Sequence, residues 1–319
     1  MMKILILDDI APVCGEYLLK HGFEVEQATN VKNVRERLAP FQAILVRSAS
    51  KLTAAEIAAA PGLRVIGRAG VGIDNIDLSA ANQRQIAVIS TPEANTISTA
   101  ELTVALMLAV ARRVPTAQRS LEQGLWKRND FRGVELFGKT LGVIGFGRIG
   151  REVAARARAF GMRIVAYDPL IPATAITGHK AETVDLATAF GQSDFITLHV
   201  PYNDGTKELI NEETLKDVKH GAYLINCARG GLTDEQTVRQ ALDSGRLAGV
   251  ALDVYAEEPP PKDHPLIGHP RVVCVPHLGA LTDEAQTRAA EELATNVTAY
   301  LKNDSLRGVV NAEALGLKA

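Results

Sequence analysis

An arginine, a pair of glutamates and a histidine in the C-terminal half carry the functional groups for moving a proton beside a carboxylate. Arg229 follows an apolar run in Asn226-Cys227-Ala228-Arg229-Gly230-Gly231. Glu257 and Glu258 follow another in Ala251-Leu252-Asp253-Val254-Tyr255-Ala256-Glu257-Glu258-Pro259, and His277 a third in Val275-Pro276-His277-Leu278-Gly279-Ala280. A guanidinium is a planar fork that can bridge a carboxylate and a neighbouring carbonyl oxygen, which an ammonium does poorly. An imidazole exchanges a proton near neutral pH, and a carboxylate on its second nitrogen fixes the tautomer and favours the charged ring. Interconversion of a hydroxy acid and a keto acid needs these functions: a cation, a proton donor or acceptor, and a group that orients it. Each residue also has a plainer reading. Arg229 could make a surface ion pair, and two adjacent glutamates could be a solvated loop.

A second constellation lies upstream. Gly138-Lys139-Thr140-Leu141-Gly142-Val143-Ile144 runs into Gly145-Phe146-Gly147-Arg148-Ile149-Gly150, followed by a helical stretch over 151–160. In such a strand–glycine–helix unit the first glycine permits a tight turn. The second lets the backbone approach a pyrophosphate at the helix N-terminus, and the third lets helix and strand pack closely. The next strand, 163–167, ends at Asp168. A carboxylate there suits the ribose hydroxyls and repels a 2′-phosphate, so NAD is expected over NADP.

The other titratable groups offer less. His199 sits in a strand end and reads as structural; His21, His179, His220, His264 and His269 read as loop or surface residues. No spacing suggests a zinc site, and no metal is expected. Cys14, Cys227 and Cys274 are the three cysteines, far apart and without an evident base, so neither a disulfide framework nor a thiol nucleophile is expected.

The elements that must position these groups alternate along the chain. Apolar strand-like runs cover 3–7, 43–46, 64–66, 87–89, 140–144, 163–167, 195–200, 222–226, 250–254 and 272–275, with amphipathic stretches between most of them. Apolar throughout, these strands predict an α/β protein with parallel sheets covered on both faces. The chain's 319 residues suit two domains. A turn-rich stretch, Thr91-Pro92-Glu93-Ala94-Asn95, marks a boundary. Ser98-Thr99-Ala100-Glu101 reads as a capping box opening a long helix over 99–124, kinked or ended by Pro115, which packs domains together or joins subunits. A last helix is expected over 283–301, and the tail Gly308-Val309-Val310-Asn311 is expected to return to the first domain. The expected division is 1–95 plus 284–319 against 96–283.

Composition narrows the function classes. With 35 basic and 37 acidic residues the formal charge is -2, which argues against a nucleic-acid or anionic-membrane footprint. No apolar stretch is long enough to span a bilayer, no targeting segment is visible, and the cytoplasm is the expected compartment.

Taken in order, Gly145–Gly150, Asp168, Arg229, Asp253, Glu258 and His277 resemble the D-isomer-specific 2-hydroxyacid dehydrogenase family. Further matching stretches are Val46-Arg47-Ser48-Ala49, Gly67-Arg68-Ala69-Gly70-Val71-Gly72-Ile73-Asp74-Asn75, and His277-Leu278-Gly279-Ala280 with Thr282, Glu284, Ala285 and Gln286. The resemblance implies two Rossmann-like or flavodoxin-like parallel-sheet domains with an active-site cleft between them. It implies Arg229 as substrate anchor, His277 as acid/base, and Glu258 rather than Glu257 as the carboxylate on it. The glycine loop with Arg148 and Ile149, Asp168, Val200, Cys227, Ala228, Arg229, Asp253, His277, Gly279 and Ala280 would meet NAD. Asp253 would lie on the carboxamide side of the nicotinamide. Arg47, Ser48, Arg68, the Gly70-Val71-Gly72 turn, Arg128, Arg229 and His277 would meet the substrate, Arg128 from a neighbouring subunit. The cations Arg47, Arg68 and Arg128 favour a phosphate-bearing acid, 3-phosphoglycerate. Glyoxylate/hydroxypyruvate or D-lactate reduction is the alternative within the family, and an NAD-sensing transcriptional corepressor is the alternative of another class. The resemblance also implies a homodimer or higher homo-oligomer through the 99–124 region.

The sequence departs from the family pattern at Leu281 and Val71, neither of which is a proposed proton-transfer group. It also ends at Ala319, before any C-terminal regulatory domain of the kind many members carry, which puts serine feedback in doubt.

Overall fold

A computed structural model describes residues 1–29 and 34–317. It divides into two compact units, one of residues 1–95 and 280–319, the other of residues 96–279. The return crossing falls at Gly279/Ala280, earlier than the expected 283/284. Gly279 is held in the second unit, where its carbonyl accepts the Ser98 and Thr99 hydroxyls at 2.6 and 3.0 Å. The Ala280 carbonyl instead accepts Gln286 Nε2 from the following helix at 2.6 Å.

The first unit is a five-stranded parallel sheet in the order β2-β1-β3-β4-β5. Its strands are β1 (Lys3–Ile6), β2 (Glu24–Gln27), β3 (Ala43–Val46), β4 (Val65–Arg68) and β5 (Ala87–Ile89). All of β3 is buried, as a strand covered on both faces must be. On one face the helix Asp283–Asn303 packs so closely that a Cβ on Gly67 would stand 2.9 Å from Leu293 and 2.6 Å from Leu45. The tail then bridges β5 antiparallel at Ile89 and Val309. Asn311 is buried there: its Oδ1 accepts the Val88 N–H at 2.8 Å, and its Nδ2 donates to Ile86 O at 2.9 Å and Asn82 Oδ1 at 2.8 Å. Asn311→Ala strands three partners in a dry site and is expected to destabilise the first unit by about 2–3 kcal/mol. Equilibrium denaturation checks this, and an unchanged midpoint contradicts it.

The second unit is a seven-stranded parallel sheet in the order β12-β11-β10-β9-β6-β7-β8. The strands are β6 (Thr140–Ile144), β7 (Arg163–Tyr167), β8 (Glu182–Thr183), β9 (Phe195–Leu198), β10 (Ala222–Asn226), β11 (Leu247–Leu252) and β12 (Val272–Cys274). The strand order reverses between β6 and β9, the kind of switch point where α/β sheets bind ligands. Apolar clusters cover both faces, one around Phe146 and Met107, the other around Phe190 and Leu266.

Several expected elements differ in extent. The 99–124 helix is two helices, Thr96–Ala111 and Val114–Glu122, separated at Arg113, whose φ of 54° is left-handed. Pro115 sits in the first turn of the second, where its missing N–H costs nothing. The expected capping box does not form. The first helix starts at Thr96, the Ser98 and Thr99 hydroxyls are spent on Gly279, and Glu101 faces Arg156 at 3.5 Å. The helix expected over 151–160 spans Arg148–Ala159 and so begins inside the glycine loop.

Candidate active site

In a parallel sheet all strands end on the same edge, and the loops that carry the histidine, the aspartates, the arginine at 229 and the glycine fingerprint leave that edge. In the sheet's spatial order β12 leads to His277, β11 to Asp253 and β10 to Arg229. Beyond them β9 leads to His199 and Val200, β6 to the glycine loop, and β7 to Asp168.

The three glycines of Gly145–Gly150 have separable reasons. Gly145 has φ 93°, and a Cβ there would lie 2.6 Å from His199 C and O and 2.8 Å from Val200 N. A Cβ on Gly150 would lie 2.2 Å from the Gly145 carbonyl, so helix and strand meet through it. At Gly147 a Cβ would meet no protein atom within 4 Å, and its φ of -70° suits any residue. The bareness of Gly147 therefore serves nothing inside the protein. It leaves open the N-terminus of the helix Arg148–Ala159, whose Ncap Gly147 makes no side-chain cap. Unpaired N–H groups and the positive end of the helix dipole suit a pyrophosphate. Arg148 is exposed at that helix start, and Ile149 lies partly buried against the core. Asp168 joins the loop from β7, its Oδ2 accepting the Phe146 N–H at 2.8 Å and its Oδ1 the Leu170 N–H at 2.9 Å. These residues fit a dinucleotide.

His277 Nδ1 lies 2.7 Å from Glu258 Oε2. The other oxygen of Glu258 accepts the Tyr255 N–H at 3.1 Å, so the carboxylate is held from two sides. Both side chains remain open to solvent, His277 at 51% and Glu258 at 38% exposure, which leaves the imidazole accessible to a small molecule. Of the two adjacent glutamates, it is Glu258 that pairs with the imidazole. The His277 backbone is in the left-handed region, φ 53°, which costs a non-glycine residue about 1 kcal/mol or more.

Asp253 holds that conformation in place. Fully buried, it accepts the His277 N–H on its carbonyl at 2.9 Å, the Leu278 N–H on Oδ1 at 2.5 Å and the Gly279 N–H on Oδ2 at 2.9 Å. Burial pushes its carboxyl above the usual range, while the Leu278 and Gly279 donors and the His277 imidazole pull it back. A nicotinamide contact alone does not describe Asp253: its carboxylate is the clamp of the histidine turn.

The Arg229 loop leaves β10 against the Tyr255–Ala256 segment that leads to Glu258. A Cβ on Gly230 would lie 1.9 Å from Tyr255 C and 2.3 Å from Ala256 N, so only glycine lets the two loops touch. Asn226, fully buried, ties the Arg229 loop at both ends: Oδ1 accepts the Ala228 N–H at 3.0 Å and Nδ2 donates to Arg229 O at 2.9 Å. Arg229 Nη1 donates to Ala228 O at 2.7 Å. Asn226 was not singled out in the sequence. The signal was an Asx residue directly after a strand, a type that satisfies loop N–H groups.

His199 and the three cysteines are chemically quiet. Burial pushes His199 down to about 3, and its Nε2 lies 2.9 Å from Thr197 Oγ1, so it stays neutral. Burial pushes the Cys227 thiol up to about 12, Cys14 to about 12 and Cys274 to about 11, so none offers a thiolate at neutral pH. No cluster of three or more metal-ligating side chains occurs among the described residues.

In the first unit Arg47 and Ser48 follow β3, and Arg68 ends β4. Asp8 and Asn75, neither anticipated, shape the loop after β3. Asp8 accepts the Arg47 N–H at 2.5 Å and the Ser50 hydroxyl at 2.5 Å, and Asn75 Nδ2 donates to the Arg47 and Ser50 carbonyls at 2.7 and 2.6 Å. Arg47 Nη1 donates to Asp9 O at 2.9 Å. The Arg68 guanidinium lies over Gly70, where a Cβ would stand 1.4 Å from Nη1, so the start of the turn through Val71 and Gly72 has a cation against it. Arg128, in the second unit, opens the exposed turn Arg128–Phe131.

Comparison with known proteins agrees with this arrangement. Residues 104–279 match the family model described as D-isomer specific 2-hydroxyacid dehydrogenase, NAD binding domain. D-3-phosphoglycerate dehydrogenase of Rattus norvegicus is 46% identical over 318 residues, 99% of this chain and 59% of that protein. The chain thus spans about three fifths of that relative's length. Among solved structures, a protein from Thermus thermophilus aligns with TM-score 0.86 at 35% identity, covering 97% of this chain and 100% of that one. A glyoxylate reductase from Paecilomyes thermophila aligns with TM-score 0.87 at 30% identity, covering 98% and 99%.

Proposed function

Since the chain belongs to the D-isomer specific 2-hydroxyacid dehydrogenase family, we propose that it oxidises 3-phospho-D-glycerate at C2 to 3-phosphohydroxypyruvate with NAD, the entry to serine synthesis. The observation that carries this reading is the 2.7 Å His277–Glu258 pair beside the Arg229 loop, on the same sheet edge as the glycine loop. The name of the rat relative favours the phosphorylated substrate.

Arg229 binds the C1 carboxylate and the C2 oxygen with its planar fork. His277, with Nδ1 committed to Glu258, meets the C2 hydroxyl with Nε2 and takes its proton as the C2–H bond breaks and the carbonyl forms. A bound nicotinamide supplies the acceptor for that hydrogen and its electron pair. Glu258 stabilises the imidazolium that results, and Asp253 keeps the turn from shifting as charge develops. In oxidation His277 must start neutral, so the rate rises with pH; in reduction it must start protonated, so the rate falls.

Arg47, Ser48, Arg68 and the Gly70–Gly72 turn are the first unit's candidates for the anionic groups of the substrate, with Arg128 as a further cation. Val114, Leu121, Leu125 and Trp126, all exposed, give the second unit a self-association face, and a homodimer or higher homo-oligomer is the assembly assigned to it. No helix is long and apolar enough to cross a membrane among the described residues, and the cytoplasm is the assigned compartment.

The test is NADH formation from a panel of 3-phospho-D-glycerate, D-glycerate and D-lactate. The expected result is kcat/KM for the phosphorylated acid about 100-fold or more above the others, the worth of two charge-assisted contacts. A preference for D-glycerate or D-lactate contradicts the substrate assignment.

A further inference from the structure

Beneath the Glu258 loop lies a buried ion-pair geometry that the reaction does not use directly. His264 is 2% exposed in its side chain and Glu235 15%, with Nε2 and Oε2 3.0 Å apart. The other ring nitrogen, Nδ1, accepts the Leu266 N–H at 3.2 Å. Nε2 itself is buried and makes no hydrogen bond, so it meets Glu235 as a close contact of two ionisable groups.

The second oxygen of Glu235 reaches up to the loop, where Oε1 accepts the Ala256 N–H at 2.9 Å. The neighbouring N–H, that of Tyr255, donates to Glu258 Oε1, and Glu258 Oε2 meets His277 Nδ1. The Tyr255 ring stands edge-on to His264 at 5.4 Å, and its hydroxyl donates to Val275 O at 2.8 Å on the segment leading to His277. On its other side the turn is wedged against Gly230. Glu235 is the first residue of the helix Glu235–Asp243, already capped by Asp234, so helix capping does not account for its reach toward Ala256. The buried Asp253 carboxylate also acts on His277 and stays in place in every variant proposed below, while the other neighbours are quiet. Arg239 is paired with Asp243 and donates to Pro265 O, and burial keeps the Cys274 thiol and the Tyr255 hydroxyl protonated at neutral pH.

We propose that Glu235 and His264 are positioning residues for the proton-transfer pair: they fix the Tyr255–Glu258 turn and thereby set how firmly Glu258 holds His277. The proposal rests on the dehydrogenase reading for its consequence, and its mechanical content stands apart from it. Loss of the Glu235 acceptor frees the Ala256 N–H, loosens the turn and lets Glu258 leave the imidazole. The charged form of His277 then loses part of its stabilisation, and the ring titrates at lower pH.

The experiment is an NMR titration of the intact protein with histidine-selective labelling, His277 being assigned by its loss in His277→Gln. In Glu235→Ala the His277 midpoint is expected to fall by about half a pH unit or more. In Glu235→Gln, which keeps an acceptor for Ala256, the fall is smaller. In a Glu258→Gln background Glu235→Ala produces no further fall, because the route through Glu258 is already cut. His264→Ala reads the same coupling from the other side of the pair and serves where Glu235→Ala folds poorly. An unchanged midpoint in the folded variant overturns the proposal. So does an equal fall with Glu258 already replaced. Absence of turnover with every hydroxy acid tested bears on the dehydrogenase reading alone, since the titration needs no substrate.

Discussion

His277→Gln removes turnover by about 10²–10⁴-fold, the span expected for loss of a positioned acid/base, and leaves nucleotide affinity nearly unchanged. The separation follows from the layout. His277 sits beyond β12 at one side of the sheet edge, whereas the glycine loop follows β6 and Asp168 follows β7. Glutamine can still accept or donate a hydrogen bond, so the variant loses proton exchange more than polarity. Because His277 has φ 53°, His277→Asn is the companion variant, asparagine tolerating the left-handed region better than glutamine. Both variants should also flatten the opposite pH trends of oxidation and reduction. Steady-state rates in both directions, with nucleotide binding by fluorescence, check the prediction. Near-normal turnover in either variant removes His277 from the chemistry.

Gly147→Val leaves the protein folded, at a cost of about 1 kcal/mol for a poorer helix cap, and weakens nucleotide binding by about 100-fold or more, ~2.7 kcal/mol. A Cβ there meets no protein atom within 4 Å, and the backbone is already in an ordinary region. A pyrophosphate brought against the N–H groups at the helix start has no such room. The neighbouring glycines provide the contrast. A side chain on Gly145 would strike the His199–Val200 backbone, and one on Gly150 the Gly145 carbonyl, so those variants lose stability as well as binding. Thermal denaturation and nucleotide titration of the Gly147 variant check the claim. Unchanged affinity would mean that the open space beside Gly147 is not where the cofactor lies.

Much of the architecture was legible because parallel strands buried on both faces read as unbroken apolar runs; β3, β5, β6, β7 and β10 fall where those runs lie. Two of the four edge strands did not show. Glu24-Val25-Glu26-Gln27 forms β2 and Glu182-Thr183 forms β8, each bonded on one side only and polar because half-exposed. The helix expected over 99–124 hid a break because its left-handed residue is an arginine rather than a glycine. Ser98 and Thr99 matched a capping pattern, yet their hydroxyls serve a carbonyl distant in sequence, a use that local spacing does not encode.

The candidate site was legible in its reacting groups and opaque in its supports. Arg229, Glu258 and His277 stand out as charged residues just past apolar strands. Asn226, Asp8, Asn75 and the Glu235–His264 pair look in sequence like ordinary loop or helix-start polar residues. Their importance lies in which backbone N–H or carbonyl they satisfy, and that depends on tertiary approach. Asp253 is the instructive case. Its position at a strand end drew attention, but its two carboxylate oxygens bind the backbone of the turn that carries the imidazole.

The most direct measurement follows the fate of a single atom. Incubated with NAD and 3-phospho-D-glycerate carrying deuterium at C2, the protein should place that deuterium on C4 of the reduced nicotinamide, with none released to water, as NMR of the recovered cofactor reports. Label in the solvent, or unlabelled reduced cofactor, would contradict direct transfer from C2 and with it the roles given to Arg229, Glu258 and His277.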